Sequence, residues 1–307
     1  MSLLSRVLSV LLTAVLLSAC GNYLLGQSFN QAKSLRIYLD NDFFNFRGAG
    51  TDRYYTNGIR IDYFYSQKRK PKLPSNLLLK ISKNDNVYGW GLAQFMFTPK
   101  HIDIPEIQYG DRPYAGALYA IHSLQSINTI EKIKITTEMF LGVMGPLSLA
   151  EESQTWVHGA FNYTIPQGWD NQIANDIILN YNINIEKQLL FPSQRILLVG
   201  VVETFSGTMY NAAGMGFMLR IGKFNNYFEG TSLTQSASDK NKFQIYVFMK
   251  PVARIVLSNA LLEGGLIYQM SAQTCAYTLD KDQIERLTLL YDVGLNIELP
   301  KLSIFIS

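Results

Sequence analysis

The sequence predicts an all-β protein, a transmembrane antiparallel β-barrel of about twelve strands with a short extracellular helix. Three observations carry this expectation. Beyond residue 20 there is no run of about 18 consecutive apolar residues, so no later helix is long enough to cross a bilayer. The composition is nevertheless membrane-like: of 307 residues 48% are hydrophobic and 17% charged, with 18 Tyr and 17 Phe, where a soluble domain carries roughly a quarter charged. Finally, apolar residues recur at every second position through segment after segment. A closed barrel of such strands pairs every backbone group within lipid.

The same figures exclude other classes. Lys+Arg 27 against Asp+Glu 24 leaves +3, too small and too scattered for a polyanion-binding stripe, so no nucleic acid is expected as partner. Two Cys, one of them inside the leader, provide no disulfide framework.

At the N-terminus, Arg6, the apolar stretch from Val7 to Leu17 and the ending Leu17-Ser18-Ala19-Cys20 read as a secretory signal over 1–19. The ending resembles a lipobox, which would make Cys20 the acylated first residue of a lipoprotein. A signal-peptidase cut after Gly21 is the other reading, and both stay open. Residues 20–307 are expected to form a single outer-membrane barrel domain.

Strands are expected at about 34–43, 55–66, 87–97, 113–126, 131–143, 177–189, 194–206, 212–223, 242–256, 261–272, 287–299 and 301–307. In 131–143, Ile133, Ile135, Thr137, Met139, Leu141 and Val143 share one face, and Lys132, Lys134, Thr136 and Glu138 the other. In 287–299 the apolar face runs Leu287, Leu289, Tyr291, Val293, Leu295, Ile297 and Leu299. The final segment ends Phe305-Ile306-Ser307, without the terminal aromatic that many barrels carry.

A chain that enters from the periplasm alternates up and down. Connections after odd strands are then extracellular: 44–54, 98–112, 144–176, 207–211, 257–260 and Pro300-Lys301. The basic run Lys68-Arg69-Lys70-Pro71-Lys72 falls on the other side and reads as a solvated turn rather than a phosphate clamp.

One connection is long enough to hold a helix. Ser148 and Glu151 have the spacing of a capping box, which starts a helix at about Leu149 and puts Gln154 and His158 on one face. His101 lies in a loop, and His122 lies inside a strand, where a structural role is the default. By alternation Arg36, Tyr38, Asp40 and Asp42 share a lumenal parity, as do Thr56, Arg60 and Asp62. Asp42 and Thr56 therefore reach the outer rim from within, to be joined there by loop 98–112 and the His158 helix. Oxygen donors such as Asn41, Asp42 and Thr56 suit Ca²⁺, whereas Zn²⁺ would want more His or Cys. A neutral His beside water is a general base near pH 7, and a cation polarises a carbonyl, which together suggest ester hydrolysis. A hydrogen-bond network that merely fills the barrel accounts equally for Asp42 and Thr56.

Seven motifs occur in order: Asn41-Asp42; Thr51 to Gly58; Gln94 with Thr98-Pro99; Asp111-Arg112-Pro113-Tyr114-Ala115-Gly116; Gly142-Val143-Met144-Gly145-Pro146; Gln154 with His158; and Gly168-Trp169-Asp170-Asn171-Gln172. From about 36 to 190 they resemble the outer-membrane lipid A 3'-O-deacylase family. The resemblance implies a twelve-stranded barrel whose site lies between the wall and an extracellular helix, facing the outer leaflet of the bacterial outer membrane. It implies a Ca²⁺-assisted hydrolase that removes the 3'-acyloxyacyl group of lipid A, the lipid of lipopolysaccharide. His158 would be the base, and Asn41, Asp42, Thr56 and Gln154 would stand around metal and ester, with Asp42 and Asn41 on the metal. Some members carry a Glu six residues after this His, and here that place is Thr164. The competing expectations are an outer-membrane phospholipase, which would need a Ser nucleophile beside the His, and a passive pore.

Overall fold

The computed structural model describes residues 33–41, 57–66, 73–82, 85–229, 243–266, 277–299 and 303–306. The leader, Cys20, Asp42, Thr56 and the run Lys68 to Lys72 lie outside these.

The strands are β1 (Lys33–Asn41), β2 (Asn57–Ser66), β3 (Asn86–Phe97), β4 (Ala115–Asn128), β5 (Ile133–Met144), β6 (Asp176–Ser193), β7 (Ile196–Gly207), β8 (Tyr210–Lys223), β9 (Gln244–Asn259), β10 (Leu287–Glu298) and β11 (Ser303–Ile306). A helix, α1 (Ala150–Phe161), stands between β5 and β6. Each strand pairs antiparallel with its neighbours in sequence, so one ladder runs from β1 to β11 without a crossover. Among the described residues no ladder joins β1 to β11. The sheet curls: Leu261, just after β9, packs into the core formed by Ala93, Tyr119, Phe140 and Ile178 of β3 to β6.

The alternation read from the sequence sorts the two faces. Leu35, Leu39, Ile59, Trp90, Leu92, Leu141, Leu287, Leu289, Tyr291 and Val293 are exposed on the convex, outward face. The concave face holds several ion pairs, and Arg220 there lies over the Tyr227 and Tyr246 rings. Arg60 of β2 donates to the Asp62 carboxylate at 2.8 Å and reaches across to Glu138 of β5 at 2.6 Å. Lys134 lies 3.3 Å from Glu186, and the Tyr227 hydroxyl donates to Glu186 at 2.6 Å. Arg254 pairs with Glu203. An unpaired charge in such an interior costs several kcal/mol, on the order of 3 to 5 when one partner is removed, and these geometries supply the partners.

Two apolar clusters fill the interior. Towards one end Phe224 and Phe228, in the connection after β8, pack on Leu197, Val199, Met218, Tyr246 and Phe248. Towards the other, Leu261 and Ile173 meet Ala115 and Met144.

The strand expected over 261–272 is corrected. Ala260–Glu263 forms a short helix, α2, and β9 pairs directly with β10. The Asn259 side chain accepts from Leu261 N and caps the turn, and Gly264 ends it at φ 83°. Burial of Ala260 and Leu261 then rewards the helical turn. Removing this strand also reverses the direction of the later strands, so β10 ends at the side opposite to the one expected.

A filled interior predicts the electrical behaviour of the protein. Reconstituted in planar bilayers it should give no steady porin-like conductance. A sustained open-channel current would contradict this packing.

Candidate active site

The connection between β5 and β6 lies against the outward face of β3 and β4. Gln94 and Met96 are in step with the outward residues Trp90 and Leu92, and Met96 pairs with Gly116 of β4. Gly116 marks the close approach: a Cβ there would lie 2.1 Å from Ser148 Oγ and 2.4 Å from Ala150 Cβ. Gln94 Nε2 donates to Ser148 O at 2.7 Å, tying the wall to this turn. Gly145 starts it at φ 79°, a left-handed value that glycine takes without penalty.

The start of α1 at Ala150 agrees with the sequence to within a residue, but not by the expected mechanism. Ser148 sits in a preceding 3-10 turn, Pro146–Ser148, and its hydroxyl donates to Gly145 O at 2.6 Å. Leu149 is the N-cap residue at φ 57°, with no side-chain cap. Glu151 and Glu152 in the first turn complement the helix dipole instead. Burial, with Glu152 and Asp170 nearby, raises the Glu151 carboxyl above its ordinary value.

Gln154 and His158 share the inner face of α1, and each is nearly buried at 2% and 7% exposure. Trp169 Nε1 donates to Gln154 Oε1 at 2.8 Å. Indole can only donate, so this bond fixes the amide orientation and leaves Nε2, buried and with no partner among the described residues, as a donor. Trp169 packs with Met96, Tyr114 and Ala150. Its position is held by bonds between two loops: Gln167 N to Ile102 O, Asn171 Nδ2 to Pro105 O and Ile173 N to Tyr114 O. Burial pushes the Tyr114 phenol up to about 12, so it stays neutral.

His158 Nδ1 lies 2.6 Å from the backbone carbonyl of Thr164. A carbonyl only accepts, so Nδ1 carries the proton and Nε2 keeps its lone pair. The helix end builds this contact. Asn162 follows α1 in the left-handed conformation, φ 55°, and Tyr163 N bonds to His158 O at 2.8 Å. Asn tolerates this conformation better than most residues, and the reversed chain returns Thr164 O to the imidazole. Of the other histidines, His122 is held between Gly89 O at 3.0 Å and Ser75 Oγ at 2.8 Å and stacks on Trp90, and the His101 backbone exchanges bonds with the Gln108 side-chain amide.

Gln94, Gln154, His158, and the 111–116 and 168–172 motifs thus meet at one place. Asn41 is placed by its backbone: it pairs with Asn57, which pairs with Met96, which pairs with Gly116. It therefore occupies the cross-strand row on which the start of α1 rests. Asp42 and Thr56 lie outside the described residues. Among the described residues no three His, Cys, Asp or Glu side chains group as metal ligands. Sequence reasoning did not assign Trp169 or Asn162 a role, although Trp169 stands in one of the seven motifs and an Asn after a helical run is a C-terminal signal.

Trp169→Phe keeps the ring but leaves Gln154 Oε1 buried without a donor, at a cost of about 1–3 kcal/mol. The midpoint of heat-induced unfolding, followed on gels, should fall. Adding Gln154→Leu should recover most of the loss, because both polar partners are then gone. An unchanged midpoint in the single variant would deny that this bond holds the site.

The comparisons with known proteins bear on the fold and the family. No curated protein matches. Among solved structures, LpxR from Salmonella typhimurium superimposes with a TM-score of 0.64 at 20% identity, covering 87% of this chain and 88% of that one. At that identity the likeness shows the fold alone. A family model described as "Outer membrane protein LpxR" matches residues 8–306. With nearly the whole chain matched, this protein belongs to the LpxR family of outer membrane proteins.

Proposed function

We propose that this chain is a lipid A 3'-O-deacylase, a carboxylic ester hydrolase whose site faces the outer leaflet and takes lipid A of lipopolysaccharide as substrate. The observation that carries the reading is the His158 imidazole, oriented by the Thr164 carbonyl, with the partnerless Gln154 Nε2 one helical turn away on the same face. Nε2 of His158 accepts a proton from water as the water oxygen attacks the ester carbonyl carbon. Gln154 Nε2 is a ready donor to the oxygen on which negative charge develops, a contact whose loss typically costs a few kcal/mol. The imidazolium then returns its proton to the departing 3'-oxygen of the sugar as the acyl C–O bond breaks. Acid and alcohol leave, and His158 is neutral again.

The place of the missing Glu is accounted for in the same way. The Thr164 backbone carbonyl supplies the acceptor that holds Nδ1–H, so the Thr164 side chain is not needed. The arrangement stands against the outward wall, which suits a substrate that arrives within the membrane plane.

Ca²⁺ is the cation this reading takes. Asn41, Asp42 and Thr56 carry the hard oxygens that Ca²⁺ prefers, and the backbone row linking Asn41 to Met96 and Gly116 supports this choice. Bound there, the ion would supply electrostatic stabilisation of a developing oxyanion.

Mass spectrometry of extracted lipid A tests the assignment, and release of fatty acid from phospholipid in place of the 3'-acyloxyacyl group would overturn it. His158→Ala should keep the fold and lower the rate by roughly 10²-fold or more; activity within a few-fold of the parent would return His158 to a structural role. Asn162→Val should lose most of the activity, because a β-branched residue resists the left-handed conformation, whereas Thr164→Ala should retain it. The reverse order would mean that the Thr164 side chain, not its carbonyl, holds the imidazole. Chelation of Ca²⁺ should abolish deacylation and added Ca²⁺ restore it, with Asp42→Asn raising the Ca²⁺ concentration required. Full activity after exhaustive chelation would remove the metal from the mechanism.

A further inference from the structure

The connection between β2 and β3 does not stay at the barrel's end. Residues 73–82, with a 3-10 turn at Ser75–Leu77, run back along the outward wall. Ser75 Oγ is 2.8 Å from His122 Nε2 of β4, and the Tyr181 hydroxyl of β6 donates to Leu77 O at 2.8 Å. Ser126 Oγ accepts from both Ile81 N and Ser82 N at 3.0 Å. Leu78 inserts between Tyr88 of β3 and Leu124 of β4. Tyr88, His122 and Tyr181 are in step with the exposed outward residues Trp90 and Leu179, so the segment crosses the outside of β3 to β6 like a strap. Its own free side presents Leu73, Leu77, Leu79 and Ile81, exposed by 73, 51, 44 and 36%, with Lys80 among them.

Two physical limits fix where such a strap lies. Its backbone is irregular, and hydrocarbon tolerates no lipid-exposed irregular backbone, because unpaired N–H and C=O groups there cost several kcal/mol each. Four large apolar side chains held in water are costly too, at about 25 cal/mol per Å². Only the boundary between headgroups and acyl chains meets both limits, with side chains down among the chains and backbone up among headgroups and water. The register agrees. Met96, beneath α1, and Tyr88, beneath the strap, are eight residues apart on β3, roughly 27 Å along the strand and about 20 Å along the axis at a tilt near 40°. The helix and the strap therefore sit at opposite boundaries of an apolar band about 25 Å tall.

We infer that residues 73–82 are an interfacial anchor whose partner is the phospholipid of the leaflet opposite α1, with Lys80 reaching the headgroup phosphates. The strap is fixed to the wall by four side-chain bonds and one inserted leucine, so it holds the barrel at one depth. Resting on the proposed function, this depth puts His158 level with the acyl esters of the other leaflet.

Spin labels test the anchor without reference to catalysis. In a Cys20→Ser, Cys275→Ser background, Leu77→Cys, Leu79→Cys and Ile81→Cys are labelled singly, with Tyr109→Cys in an exposed loop as the aqueous reference. The protein is placed in vesicles of phosphatidylethanolamine and phosphatidylglycerol, with folding checked by heat-modifiable migration. The three strap labels should collide more with oxygen, which partitions into lipid, than with a water-soluble nickel chelate, and Tyr109 should show the opposite. Nickel-dominated collision at the strap would place it in water and overturn the inference. Low access to both reagents would mean that a protein surface, including a second copy of this chain, covers the strap, and would overturn it equally. Because the labels report depth alone, a protein without deacylase activity would leave this result standing.

Discussion

The close approach at Gly116 is the contact on which the rest of the site depends. Without a Cβ there, Ser148 and Ala150 lie directly on the outward face of β4, and α1 begins beside the wall rather than across the barrel mouth. Met96 and Trp169 then close around Ala150, Trp169 reaches Gln154, and the far end of the helix carries His158 to the Thr164 carbonyl. Any side chain at 116 would have to push the helix out by more than an ångström, which is enough to separate groups that act at hydrogen-bond distance.

Placing the helix outside frees the interior for another use. The concave face does not have to admit a substrate, so it can be packed with apolar clusters and with ion pairs, one of which Arg60 makes by spanning from β2 to β5. The wall becomes a stiff support, and in the proposed function the chemistry belongs at the boundary between protein and lipid. That division suits a substrate confined to the membrane plane, which can meet the site by sideways diffusion instead of leaving the bilayer.

Much of this was legible in the sequence, for reasons that differ element by element. Period-two alternation is forced by lipid on one side and a polar interior on the other, so the faces of β5 and β10 follow from residue type alone. The segment 261–272 misleads because Ala260-Leu261-Leu262 is apolar without a clear period, and a short apolar run does not distinguish strand from helical turn; burial against β4 decides it. Ser148 and Glu151 have capping-box spacing, yet a hydroxyl can make only the bond its backbone position allows, and Ser148 is committed to Gly145 O. Alternation gave Asp42 and Thr56 a lumenal parity, and the parity of Gln94, Met96 and Gly116 puts the helix on the outer side of the wall. That parity was readable, but a glycine at a contact gives no sign of what it touches. The pairing of Gln154 with His158 followed from helical spacing, while the bond from Trp169, fifteen residues on, arises only when two loops are zipped together.

The central claim is that a backbone carbonyl sets the tautomer of His158 and so makes its Nε2 the base. Histidine-selective ¹⁵N labelling reads this directly. In long-range ¹H–¹⁵N spectra of the folded protein, the resonance lost in His158→Asn should show, in its neutral state, a protonated Nδ1 and an unprotonated Nε2. A neutral ring protonated at Nε2 instead would contradict the account, because the atom facing the ester would then hold a proton and could not accept one.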